Sequence, residues 1–357
     1  MKILQICGYA APYAGNFIKT LIGLSEDCLE RGCETVFAFP EAAREKEWCQ
    51  QLERNYKVYY LPLEKARIKI ETYRKIRKIY EENDISIVHS HFELYDMPAA
   101  LMRKKNCKIF WHLHDSLDLI YSKSNLIYKI LWKIQYKYAS NKVILLSVSE
   151  KAKEFAIKLG FNNRNAYFLP NGIDTDRIQK NELIKNTYDF LIFGWDFKRK
   201  GVDLVLEATK HIKRQDYSIG LVTGEEVWEK IEIEKYPTLI KQEAVENVGE
   251  LYKKAKFFLH VSRSEGLSYA LLEALYSGMI VICSDIEQNM FAKKFKNTIF
   301  VKNENAIEIS QAMQAVLEGR ITVSQLEIEE SRKLIEEKYS SKNMAINMIE
   351  VYRKMQI

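Results

Sequence analysis

No hydrophobic run in this chain approaches the length of a membrane-spanning helix. Its six cysteines (Cys7, Cys28, Cys33, Cys49, Cys107 and Cys283) are scattered, with no CxxC pair and no Cys/His cluster. The first absence argues against helical membrane spans. The second argues against a zinc site or a disulfide framework, and reduced thiols in a cytoplasm fit the pattern. Low-complexity segments, short repeats and recognised nucleic-acid-binding modules are also missing, so no nucleic-acid partner is expected. The opening MKILQICGYAAPYAGNF carries one lysine and a short apolar run broken by Gly8 and Pro12, which suits a first strand and loop better than a signal peptide. Gly8 and Gly15 in CGYAAPYAG do not complete a GxGxxG, so a nicotinamide-binding fingerprint is absent.

What is present is ordinary globular material: 357 residues, 47% hydrophobic and 29% charged, enough for two α/β domains each with its own core. The net charge of +6 is unevenly spread. Residues 1–170 carry 27 Lys+Arg against 19 Asp+Glu, and the remainder 27 against 29. An anionic partner for the first half follows from that asymmetry. The stretches Arg67–Tyr80 and Leu126–Tyr138 read as basic, aromatic-rich helices. In the second, Lys129, Lys133 and Lys137 form one stripe and Ile127, Leu131, Ile134 and Tyr138 another, bordered by Tyr128, Trp132 and Tyr136. For either helix alone, a core-facing apolar stripe with solvated lysines is the plainer reading. The two together in the basic half make an anionic membrane surface an expected partner.

Strand and helix signals alternate along the chain. Strands are expected at residues 2–7, 35–39, 58–61, 85–89, 108–113, 143–148 and 166–169, and then at 190–193, 218–223, 257–261 and 281–284. The first helix is expected at residues 16–31 and the last at 340–357. This βαβ alternation implies parallel sheets. Pro170-Asn171-Gly172 forces an irregular turn, and the domain boundary is expected there: residues 1–170, joined by the terminal helix, and residues 171–339. Four of the six histidines (His89, His91, His112 and His114) fall near the C-terminal ends of expected strands, where an open parallel sheet binds ligands.

The most informative stretch is SRSEGLSYALLEALYSG, Ser262–Gly278, a strand–loop–helix sequence. Ser268 is a good N-cap and Gly278 a good terminator, framing a helix of roughly residues 269–277. Its N-terminus would gather unpaired N–H groups at a strand end, a natural phosphate cradle. Glu265 and Glu273 bracket that cradle, eight positions apart, a spacing suited to a sugar nucleotide. A solvated loop carboxylate and an exposed helix carboxylate are the plainer alternative on composition alone. A second cluster, FGWDFKRKGVDLVLEA at residues 193–208, ends a strand at Gly194 and presents Lys198, Arg199 and Lys200 before a helix. Cations there would face a leaving diphosphate, where charge stabilisation counts most.

The run EGLSYALLEALYSG resembles the E-x7-E signature of retaining family 4 glycosyltransferases of the GT-B architecture, and the resemblance extends in order over nearly the whole chain. It implies two Rossmann-like domains with parallel sheets facing a central cleft. On it, Glu265 would hydrogen-bond the donor sugar and Glu273 the ribose hydroxyls, with the backbone of Gly266, Leu267 and Ser268 facing the diphosphate and sugar. HLHD resembles the family segment whose histidine contacts the donor sugar, pointing to His114. Gly15, Asn171 and Gly194 would lie against the donor, and Val248 and Leu251 would touch the base. Members commonly carry an arginine where this chain has Trp195, so the phosphate cations would be Arg199 and Lys200.

The implied activity is retaining transfer of a hexose from a nucleotide sugar, UDP being the expected carrier, to a hydroxyl of a saccharide or lipid-linked saccharide in cell-envelope polysaccharide assembly. The leaving phosphate would take the acceptor proton. No cofactor and no metal are expected: Asp174-Thr175-Asp176 has the letters of a metal-binding DxD but sits at the boundary turn, and Asp115 with Asp118 does not suit one. A nucleotide-sugar epimerase of the same architecture, or a non-catalytic partner subunit that binds the sugar nucleotide, are the alternatives. The expected location is cytoplasmic, extending to the inner face of the plasma membrane.

Overall fold

The computed structural model describes residues 1–104, 106–114, 116–178, 187–245 and 247–355. Asp115 and part of the polar stretch after the boundary turn lie outside the described residues. Two compact units result, Met1–Asn171 with Ser341–Ile357, and Gly172–Ser340.

The first unit is built on seven strands: β1 (Lys2–Cys7), β2 (Glu34–Pro40), β3 (Lys57–Leu61), β4 (Ile87–His91), β5 (Lys108–Leu113), β6 (Ile144–Ser147) and β7 (Ala166–Phe168). They pair in parallel in the order β3-β2-β1-β4-β5-β6-β7. Helices cover both faces, which is why β1 is buried from Ile3 to Cys7 and, apart from the buried Gln5, is apolar on both sides rather than alternating. On one face Leu4, Val88 and Trp111 pack with Tyr80, Trp132 and Tyr136. On the other, Ile3, Ile87 and Phe110 pack with Met344, Met348 and Tyr352 of the final helix, Ser341–Lys354.

The second unit holds β8 (Tyr188–Phe193), β9 (Ile219–Val222), β10 (Leu239–Gln242), β11 (Ala255–His260), β12 (Ile280–Ser284) and β13 (Thr298–Val301). Their order is β10-β9-β8-β11-β12-β13, again parallel. The pattern reading does not mark β10 and β13. Both are sheet edges with part of their length open to solvent, so neither shows the two-sided apolar run of a central strand.

Two helices differ from expectation. The first basic helix spans Ile70–Asn83, starting three residues late. In the second, Leu126–Ala139, the side chains packed on the core are Trp132, Tyr136 and Ala139, while Ile127, Leu131, Ile134 and Tyr138 are exposed. The apolar stripe therefore faces solvent rather than the core.

Candidate active site

In each sheet the strand order reverses between two central neighbours, β1 and β4 in the first, β8 and β11 in the second. The loops after such a pair diverge and leave a crevice beyond the strand ends. In the second unit those loops are residues 194–201 and 261–268. They are tied together through Arg263: its N–H donates to the Arg199 carbonyl at 2.8 Å, and its guanidinium donates to Asp203 at 2.8 and 2.9 Å, to Glu304 at 2.6 Å and to the Lys198 carbonyl. Gly201 has φ +73°, and a Cβ on it would come within 2.2 Å of the Val261 carbonyl, so only glycine allows this approach.

At the junction Lys200 Nζ donates to Glu265 Oε1 at 2.5 Å, and Arg199 Nη1 approaches Glu265 Oε2 at 3.5 Å. Burial pushes the Glu265 carboxyl up, but Lys200 and the other polar neighbours together outweigh that and hold it down at about 2. Glu265 is thus a buried, ionised carboxylate, not a solvated loop residue. Lys198 turns away to Asp203 at 2.8 Å, and Trp195 is half exposed. His260, at the end of β11, lies 3.9 Å from Glu265 through Nε2 and is kept neutral by burial, down to about 4. Sequence reasoning missed His260, although the signal used for His114, a histidine ending a parallel strand, applies equally to it.

Beyond this loop Ser268 caps the Tyr269–Ser277 helix by accepting from the Leu271 N–H at 3.3 Å, and Gly278 ends it at φ +98°. Leu267 and Ser268 are buried and Gly266 is half-buried. Glu273 is buried rather than an exposed helix carboxylate: it accepts from the Tyr252 hydroxyl at 2.7 Å and faces Arg177 Nη2 at 3.4 Å. A Cβ on Gly249 would lie 2.3 Å from the Arg177 carbonyl, so the Gly249–Tyr252 turn, with buried Leu251 and half-buried Val248 at its start, is pressed against the Thr175–Arg177 turn. Arg177 was not foreseen, because nothing in PNGID marks the residue three positions later as the partner of a helix carboxylate. Gly194 would clash with Val202 at 2.6 Å and Leu221 at 2.7 Å if it carried a Cβ, which fits a close-packed loop base.

In the first unit His91 Nδ1 and His114 Nε2 are 2.9 Å apart, and His91 Nε2 is 2.9 Å from Gln5 Oε1. Since Gln5 Oε1 only accepts, His91 must donate to it through Nε2 and accept from His114 Nε2–H, and the Asn171 side chain bonds His114 on its other side. Burial holds His114 down at about 3, so near neutrality it is an uncharged, oriented ring and not an acid. Phe17 and Phe92 flank it at 5.3 and 4.6 Å between ring centres, and Gly15, at φ +56°, opens the helix that carries Phe17.

Among the described residues one trio could converge on a metal ion, His89, His91 and His112, with one nitrogen from each within 4.8 Å of the others. His91 already uses both nitrogens, and His89 Nδ1 sits 2.7 Å from the Tyr352 hydroxyl. Asp174 Oδ1 accepts from the Asp176 N–H at 3.2 Å and caps the Thr175–Arg177 turn, and Asp118 pairs with Lys151 at 3.1 Å.

Two parallel-sheet Rossmann-like units, one with cations and carboxylates gathered at its switch point, define the GT-B class of α/β architecture. Residues 19–177 match the model described as Glycosyltransferase Family 4, and residues 174–340 the model described as Glycosyl transferases group 1. Between them the two models span residues 19–340, and with the fold they make the chain similar to family 4 glycosyltransferases of GT-B architecture. An uncharacterized glycosyltransferase of Methanocaldococcus jannaschii is 28% identical over 230 residues, a match covering 61% of this chain and 61% of that protein. The O-antigen biosynthesis glycosyltransferase WclY of Escherichia coli is 26% identical, over 67% of this chain and 76% of WclY. In fold, the chain superposes on HepE of Anabaena, solved with UDP and glucose, with a TM-score of 0.82 at 13% identity, covering 99% of this chain and 100% of HepE.

Proposed function

We propose that the protein transfers a hexose from a UDP-sugar to a hydroxyl of a saccharide or lipid-linked saccharide, with retention at the anomeric carbon, in cell-envelope polysaccharide assembly. One observation carries the proposal: buried, ionised Glu265 is held by Lys200 and Arg199 where the two switch-point loops meet. WclY, named for O-antigen biosynthesis, and HepE, solved with UDP and glucose, support the acceptor and donor classes.

In the proposed reaction the bond between the anomeric carbon and the phosphate oxygen breaks, and the nucleoside diphosphate leaves with the electron pair. The acceptor oxygen bonds the anomeric carbon on the same face and its proton passes to the leaving phosphate. Lys200 and Arg199, with the N-terminus of the Tyr269–Ser277 helix, would neutralise the departing charge without a metal. Glu265 would orient the sugar and Glu273 the ribose. Neutral His114 would present an uncharged edge to the donor.

The test is a panel of UDP- and GDP-sugars screened for thermal stabilisation. A donor at about 100 times its dissociation constant adds about 2.7 kcal/mol. Product stereochemistry follows by NMR with saccharide acceptors. An inverted product would overturn retention, and a donor epimerised without acceptor would replace transfer by epimerisation.

A further inference from the structure

The helix Leu126–Ala139 is held to the first unit along one line, by Trp132, Tyr136 and Ala139. At about 100° per residue, Leu126, Ile130, Ile134, Ile127, Tyr138 and Leu131 occupy a continuous arc on the side opposite that line. They are open to solvent, with Leu126 at 73%, Ile127 at 68% and Ile134 at 59% exposure. Lys133 flanks the arc, Lys137 lies at its edge between Leu126 and Ile130, Lys129 sits between Lys133 and Tyr136, and the helix has no acidic residue. Singly exposed apolar residues are ordinary, but six on one helix face are not.

Another exposed apolar pair lies in the segment before the Ile70–Asn83 helix. Ile68 and Ile70 are 75% and 67% exposed, and the Arg67 guanidinium sits 5.8 Å over the Trp132 ring, on the side of the Leu126–Ala139 helix opposite the arc. Residues 63–70 add Lys65, Arg67 and Lys69 with one acid, Glu64, and neighbouring Glu71 is paired with Lys69 at 3.0 Å and Lys75 at 3.2 Å. Both stretches, far apart in sequence, expose apolar side chains beside cations.

We infer that the exposed arc of the Leu126–Ala139 helix is the surface on which the protein lies against an anionic lipid bilayer, with Ile127, Ile130, Leu131 and Ile134 entering the boundary between headgroups and acyl chains and the lysines reaching lipid phosphates. Charge selects this occupant. A second copy of the chain would bring the three lysines of this helix against the same three, and two like-charged faces repel. A bilayer offers apolar depth and negative charge together, which is what a helix with an apolar arc and flanking lysines partitions into. The inference does not depend on the donor or the chemistry of transfer.

The test is cosedimentation of the full chain with phosphatidylcholine vesicles, with and without phosphatidylglycerol, at low and physiological salt. The unaltered protein should bind the phosphatidylglycerol vesicles and leave the others largely free. Ile127→Ser with Leu131→Ser and Ile134→Ser should lower partitioning by more than about tenfold at either salt. Lys129→Gln with Lys133→Gln and Lys137→Gln should lower it by about a hundredfold at low salt. All these positions are exposed or flank the exposed arc, so circular dichroism and melting should match the unaltered protein. No binding of the unaltered protein, triple variants that bind like it, or a dimer in sedimentation velocity that the apolar triple variant dissolves would each overturn the inference.

Discussion

Lys200 Nζ lies 2.5 Å from Glu265 Oε1, a contact made across 65 residues of chain by the loops that follow β8 and β11. With Glu265 buried, this pair belongs to the class in which removing one partner costs far more than the pair contributes, roughly 3–5 kcal/mol. Lys200→Ala should therefore lower the melting temperature as well as activity, and kcat/KM should fall by about 10² or more. Asp176→Ala, at an exposed turn position, should leave both near unaltered. Equal effects of the two substitutions on kcat/KM would remove Lys200 from the phosphate site.

Glu273 calls for a gentler substitution than Glu265. Its carboxylate compensates Arg177 in a buried setting, so Glu273→Ala leaves that guanidinium unpaired and should destabilise the fold by several kcal/mol. Glu273→Gln, which keeps the Tyr252 contact, should stay folded and weaken nucleotide binding, while Glu265→Gln should mainly lower kcat. Isothermal titration with UDP alongside steady-state kinetics separates the two. Unchanged UDP affinity in folded Glu273→Gln would exclude the ribose role.

The proposed site neutralises the leaving diphosphate with Lys200, Arg199 and a helix N-terminus. Turnover should persist in excess EDTA. Loss of activity in EDTA with recovery on adding Mn²⁺ would return Asp174 and Asp176 to consideration as ligands.

Acid should unfold the first unit through its histidines. Burial lowers His89, His91, His112 and His114, so each favours the native state above the ordinary histidine value of about 6.5, and that contribution is lost as pH falls toward the depressed native values. Glu265 has the same sign but acts lower, between about 4.5 and about 2. Stability measured by urea should decline from about pH 6.5 downward. His112→Leu, which removes a ring whose nitrogens lack a good hydrogen bond among the described residues, should flatten the slope below about pH 6.5. An unchanged slope would assign acid sensitivity to other groups.

Local sequence was enough for the parallel-sheet class and for the strand–loop–helix at Ser262–Gly278, because buried strands, the Ser268 cap and the Gly278 terminator are all encoded within a few residues. It also named Glu265, Lys200 and Glu273, since each lies on a loop or helix whose position relative to its own strand follows from that local pattern. What the chain does with them was decided by tertiary structure. Strand order brings the β8 and β11 loops together, and only then does a loop carboxylate become a buried ion held by Lys200 and a helix carboxylate acquire Arg177 and Tyr252, while in the first unit the adjacency of β1, β4 and β5 sets the His114 tautomer through His91 and Gln5. The Leu126–Ala139 helix makes the same point from the other side. Periodicity shows that it has an apolar face, but two such faces, Trp132 with Tyr136 and Ile127 with Leu131 and Ile134, compete for the core. The pocket beside Trp111 admits the aromatic pair, whose rings stack on each other at 6.1 Å, and leaves the aliphatic face to solvent.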